Sequence, residues 1–241
     1  MIHHFQFGDH NSMDFCMAVE KYPTISSGSR KRTAISVAGR SGDLHYVEDA
    51  FTNFQQSYEC YFSGQYPSPQ IAHEIKAWLF GDGAYHRLTD SYDTKHFRLA
   101  SFAGPLDVKN HLNKYGRCTV VFDCDPRAFL WAGEDVVTFT QAGQIYNPTG
   151  YSAKPKIIVR GTSGGNVAVN GTTVEVKTLS DFVILDCEIQ DAYRQAGDGG
   201  AENKNGTISA PEFPVLKPGA NGISFTGGIT QIEIIPRWWE L

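Results

Sequence analysis

One stretch of this chain, and only one, carries a helical apolar stripe. In 68–100, SPQIAHEIKAWLFGDGAYHRLTDSYDTKHFRLA, the residues Ile71, Ala72, Ile75, Trp78 and Leu79 recur at helical spacing. Ser68 is placed to cap the start, and Pro69 suits a first helical position, where its missing N–H costs nothing. Gly81, Asp82 and Gly83 stop the helix. Two strand-like runs follow, 85–89 and 96–101, joined by the turn-rich Asp90, Ser91, Tyr92 and Asp93. The segment therefore reads as a helix laid against a β-hairpin, with Trp78 as its largest apolar anchor.

The remaining sequence punctuates itself as strands and turns. Its 24 Gly, 11 Pro and 12% aromatic residues favour that over further helices. The first half predicts strands at 1–7, 15–19, 34–37, 44–47 and 117–124, with a basic loop at 26–32. Residues 51–62 show no clear period and read as a strand plus irregular chain, and 106–112 suggest a short helix or bend. Within 117–124 the alternation puts Cys118, Val120, Phe122 and Cys124 on one face. Pro126 is expected to end that strand, since proline cannot donate to a ladder. The second half predicts short strands at 136–141, 156–160, 166–169, 173–176, 182–187, 223–225 and 229–235. Asn170-Gly171 between alternating apolar runs is the strongest turn signal present, because both turn residues need positive φ. Regularly spaced short strands of this kind suggest a β-sandwich. The polar run 195–206 reads as a loop.

Charge and composition exclude several function classes. A net charge of −5 argues against a nucleic-acid-binding domain, which is usually basic. No apolar run approaches the ~18 residues of a spanning helix. The opening MIHHFQFGDH lacks the features of a signal peptide. The five cysteines at 16, 60, 118, 124 and 187 form no CxxC pair and read as free thiols.

No catalytic signature stands out. The histidines at 3, 4, 10, 45, 73, 86, 96 and 111 show no metal spacing. Asp123 and Asp125 form a conceivable carboxylate pair, but their place beside Pro126 favours a turn role. The run 161–165 lacks the GK[ST] ending of a phosphate loop. Asn203, Asn205 and Gly206 echo part of a calcium loop whose first position would be Ala201, which cannot ligate. Asn170 and Asn205 match the glycosylation pattern but fit hairpin chemistry. The expectation is no catalytic residue, no cofactor and no metal.

Several of these residues follow a known pattern. The helix ending in Trp78-Leu79, the glycine turn, the strand with Leu88 and the strand closing in Ala100 resemble the N-terminal domain of siphophage distal tail proteins. In the second half, Asn147-Pro148, Pro155, Ile157, Gly161, the Asn-Gly hairpin, Asp186 and Tyr193 follow that family in order. So do Phe213-Pro214 with Leu216, then Gly219 and Asn221, and the closing Pro236-Arg237-Trp238-Trp239. The resemblance implies a mainly β chain with one or two short helices. Residues 1–133 would be a ring-forming belt domain and 134–235 a galectin-like β-sandwich. Independently of the resemblance, Trp238 and Trp239 are costly to leave in water, so residues 236–241 are expected to dock as a tail, with the N-terminal domain as one place for them.

The same resemblance implies a structural virion protein rather than an enzyme. It would form a hexameric ring at the tip of a long non-contractile phage tail. Its partners would be copies of itself, the major tail tube protein, the tail-associated hub or lysin protein, and receptor-binding or baseplate-arm proteins. Genomic DNA would pass through the ring without specific binding, past walls built from acidic subunits. The protein would assemble in the bacterial cytoplasm and reside at the tail tip. At 241 residues the chain resembles the short form of the family, without an inserted carbohydrate-binding module. The alternative is a carbohydrate-binding sandwich that recognises a host surface saccharide, with Tyr146, Tyr151 and Tyr193 as stacking candidates.

Overall fold

The computed structural model describes residues 2–62, 69–111, 115–195, 197 and 199–241. The chain divides into two compact units, Met1–Ala128 and Phe129–Glu240. Both are built mainly of β-strands, and the one α-helix among the described residues is Pro69–Phe80. The expected boundary at Gly133 falls a few residues later than this division, on the short 3-10 turn Trp131–Gly133.

The first unit is organised by an antiparallel sheet. Phe5–Phe7 pairs with His10–Asn11 on one side and His86–Asp90 on the other. His86–Asp90 pairs with His96–Ser101, and Tyr115–Leu130 pairs with Phe54–Phe62, which also takes Met17–Val19. The helix turns Ile75 and Leu79 into the core with Phe5, Phe7, Leu88, Ala100, Val120 and Phe122. The start expected at Ser68 lies outside the described residues. The turn before His96 is held by the Asp90 carboxylate, whose Oδ1 accepts the backbone N–H groups of Tyr92 and Asp93 at 2.9 Å each. That is the local device that makes aspartate a turn residue.

Four readings of this unit need correction. Residues 54–62 do alternate strictly: Phe54, Gln56, Tyr58, Cys60 and Phe62 are buried. Gln56 and Tyr58 hide the period, because they put a polar and an amphipathic side chain at two of the five core-facing positions. Pro126 does not end its strand, which runs from Tyr115 to Leu130. The ladder with Phe54–Phe62 stops at Cys124, so the missing N–H of Pro126 breaks no bond of that ladder. Residues 108–111 form a strand, not a helix, paired back on 115–118, while 112–114 lie outside the described residues. The basic segment is not a loop: Arg30, Lys31 and Arg32 open the strand Arg30–Ile35, paired with Leu44–Phe51.

The second unit is a β-sandwich. One sheet contains Val137–Phe139, Ile229–Ile235, Lys156–Gly161, Asp181–Asp186, Asp191–Gln195 and Ala201–Asn203 in that spatial order. The other contains Gly143–Asn147, Gly219–Phe225, Gly165–Val169, Thr172–Val176 and Ile208–Ser209. Inward residues of both, among them Ile157, Val159, Leu185, Ile232, Val167, Val174 and Ile223, form a single core. Asn170 and Gly171 adopt φ of 51° and 87°, so the Asn-Gly hairpin takes the two positive angles its sequence calls for. Within the run expected to be a loop, Ala201–Asn203 forms an edge strand paired with Asp191–Gln195.

Candidate functional site

Polar side chains converge in the first unit around a cavity of about 40 Å³ lined by Tyr58, Asp90, Asp93, His96 and Arg98, among others. Its groups serve each other. The Tyr58 hydroxyl donates to Asp90 Oδ2 at 2.8 Å, and burial followed by the Asp90 charge pushes that phenol well above its ordinary range. His96 Nδ1 lies 2.9 Å from both carboxylate oxygens of Asp93. The space admits little more than a water molecule. A second cavity, of about 140 Å³, lies in the sandwich beside Leu179, Phe182, Lys204 and Thr207. Lys204 is paired with Glu202.

The carboxylates considered above are occupied in the same way. Asp125 accepts Nε and Nη2 of Arg127, each at 2.9 Å, and Asp123 accepts Asn53 Nδ2 at 2.7 Å. Asn205 Oδ1 accepts the backbone N–H of Ala192 at 2.8 Å. Among the described residues, no three His, Cys, Asp or Glu side chains gather where a metal ion could sit. No helix among them is long and apolar enough to cross a membrane.

The three tyrosines considered as sugar platforms are not brought together. Tyr146 is exposed on an edge strand of one sheet, while Tyr193 is half-buried on the other sheet. The Tyr151 ring stacks on Trp239 at 4.4 Å between centroids.

The anchors lie in the two cores. Leu79, Leu88 and Ala100 are buried in the first. Trp78 is half-buried, stacks on Phe15 at 4.9 Å and donates its indole N–H to the Phe7 carbonyl at 2.9 Å. Phe213 packs on the second core, and Pro214 and Pro236 are buried. Trp238 is inside that core, and Trp239 donates to the Ser152 carbonyl at 3.0 Å. These two rings thus dock within the second unit, where the Leu130 N–H donates to Trp238 O and the Arg237 N–H to Gly133 O.

The outstanding surface is the hairpin Arg30–Ile35 with Leu44–Phe51. Its residues are exposed on both strands until Ala50. Opposed pairs Thr33–Tyr46 and Ile35–Leu44 place Ile35, Leu44 and Tyr46 on one face of the ribbon. These three are 49%, 44% and 65% exposed, and Val47 on the other face is 53% exposed. Ser29 and Thr52 clasp the base: Thr52 N–H donates to Ser29 O at 2.9 Å, and Ser29 N–H to Thr52 Oγ1 at 3.1 Å. A Cβ on Gly28 would run into the Thr52 carbonyl, so only glycine fits at the base of this arm. The sequence shows the hairpin but not its lack of cover, because apolar residues facing a core and facing water read alike.

No protein-family model matches the chain, and no curated protein matches it. Among solved structures it is similar to the Dit protein (gp 19.1) of SPP1, described as a paradigm of the hub adsorption apparatus in phages that infect Gram-positive bacteria. The two align over 100% of each chain with a TM-score of 0.73 and 11% sequence identity. The chain therefore has the fold of a siphophage distal tail protein along its whole length.

Proposed function

We propose that this protein is a structural component of a phage tail tip, acting by self-association and not by catalysis. Copies would close into a hexameric ring through the first unit. The ring would join the tail tube to the tail-associated hub protein, and the second unit, a galectin-like sandwich in this reading, would carry host-adsorption proteins. The protein would assemble in the host cytoplasm and reside in the virion. The full-length likeness to a hub adsorption protein supports the tail role.

The observation that carries self-association is the arm. A two-stranded ribbon is marginally stable alone in water, and this one holds Ile35, Leu44, Tyr46 and Val47 in solvent. A second copy of the chain is the occupant the ring reading supplies. A ring needs two different complementary patches per subunit, and the arm of one copy laid on the body of the next provides such a pair. The test is a charge placed on the apolar face. Tyr46→Asp and Leu44→Asp should yield a folded chain of monomeric mass where the parent associates. Unchanged association in both variants would remove the arm from the interface. A parent chain that is monomeric throughout and titrates with host wall polysaccharide would instead favour the saccharide-binding alternative.

A further inference from the structure

Two of the five thiols face each other. Cys60 on Phe54–Phe62 and Cys118 on Tyr115–Leu130 are directly opposed partners in the antiparallel ladder. Both are buried, at 1% and 6% exposure. Opposed residues in an antiparallel pair have Cα atoms about 4.5–5.5 Å apart, inside the roughly 4.4–6.8 Å that a disulfide spans. The Cys60 thiol points to the Tyr58 carbonyl at 3.6 Å and the Cys118 thiol to Met17 Sδ at 3.5 Å. No other pair is so placed. Cys124 opposes Phe54, Cys16 is on the turn before Met17, and Cys187 belongs to the second unit.

We infer that Cys60 and Cys118 are a latent disulfide, which a peroxide converts into a covalent cross-strand tie in the first unit. In the first step one thiolate attacks a peroxide oxygen. The O–O bond breaks, a sulfenic acid forms, and one water leaves once protonated. In the second step the opposed thiol attacks that sulfur. An S–S bond forms and a second water leaves. Over both steps, two S–H bonds are lost, two thiols are oxidised by two electrons, and one hydrogen peroxide is reduced to two waters. The adjoining Cys118 sulfur, together with burial, pushes the Cys60 thiol well above the ordinary range. The thiolate is therefore scarce in the closed fold, and oxidation should proceed slowly, through transient opening between the strands. Strand Phe54–Phe62 directly follows the arm and its clasp, so the tie would fasten the strand next to the arm's base to the middle of the sheet.

The experiment is oxidation of the full chain with hydrogen peroxide, followed by alkylation, intact mass measurement and non-reducing peptide mapping. The expected result is a loss of 2 Da, three alkylatable thiols instead of five, and one linked peptide joining Cys60 to Cys118. The oxidised chain should melt several degrees higher, and a thiol reductant should reverse the shift. Cys118→Ser should lose the linked peptide and the shift together. The mapping of the unaltered chain decides the matter even if that variant folds poorly. Five free thiols after prolonged oxidation, a bridge involving any other cysteine, or a gain of 16 Da on Met17 without a bridge would overturn the inference. None of these readouts depends on whether the chain forms rings.

Discussion

Arg237 meets Asp186 in a two-pronged ion pair, with Nη1 to Oδ1 at 2.7 Å and Nη2 to Oδ2 at 2.8 Å. The pair crosses from the closing segment to the centre of the six-stranded sheet. The Asp186 side chain is only 7% exposed, and Lys156 Nζ stands 4.0 Å away. Such a forked arrangement fixes direction as well as distance. It anchors the turn at Arg237, whose φ of 58° is unusual for a residue with a side chain.

The first prediction concerns pH. Burial pushes the Asp186 carboxyl upward, but Arg237, a backbone N–H from Glu188 and Lys156 outweigh it and hold it below the ordinary range. A carboxyl lowered by folding stabilises the native state above its unfolded pKa of roughly 3.9. That contribution is lost as pH falls through the folded value. Arg237→Met should cost ~3 kcal/mol near neutrality, because it leaves a buried carboxylate with only the Glu188 N–H at 3.1 Å and Lys156 at 4.0 Å. The gap between parent and variant should narrow below about pH 4, where the variant's carboxyl is protonated. Thermal melts from pH 7 to pH 2 check this. A constant gap would exclude the pair as its origin.

The closing tryptophans give a second prediction. Trp238 is 5% exposed in the sandwich core, and a Cβ on Gly133 would collide with its backbone N. Trp238→Ala should destabilise the second unit by ~3–5 kcal/mol. Removing the chain after Ile235 should do more, since it also strands Asp186. Calorimetry should show the loss in the transition of the second unit. An unmoved melting point would show that the indole contributes nothing there.

A third prediction tests the Asn-Gly turn. Gly171 has a φ of 87° with open space around its Cα, so added bulk meets no neighbour and only backbone strain remains. Gly171→Ala should cost on the order of 1 kcal/mol. Gly28→Ala, placed against the Thr52 carbonyl, should cost more and loosen the arm. Equal effects, read from denaturant midpoints, would contradict this separation of strain from collision.

How much of this could be read from the chain divides along physical lines. The helix, the Asn-Gly hairpin and the Asp90 turn were legible because each is specified by residues within a few positions. Strand Gly143–Asn147 was not: Ile145 is its one large buried apolar residue, and Asn147 is buried by bonding the carbonyls of Tyr151 and Leu216. Pro126 misled because its tolerance depends on where a partner strand stops. The Asp186–Arg237 pair joins residues 51 apart, and no local pattern announces it. The arm's exposure was equally hidden, since Ile35, Leu44 and Tyr46 alternate as core residues do.

Native mass measurement of the purified full chain across a concentration series, with particle imaging of the same samples, tests the central claim most directly. The account predicts a mass of six chains and images of closed six-fold rings as concentration rises. A chain that stays at 26.7 kDa at every concentration would contradict it.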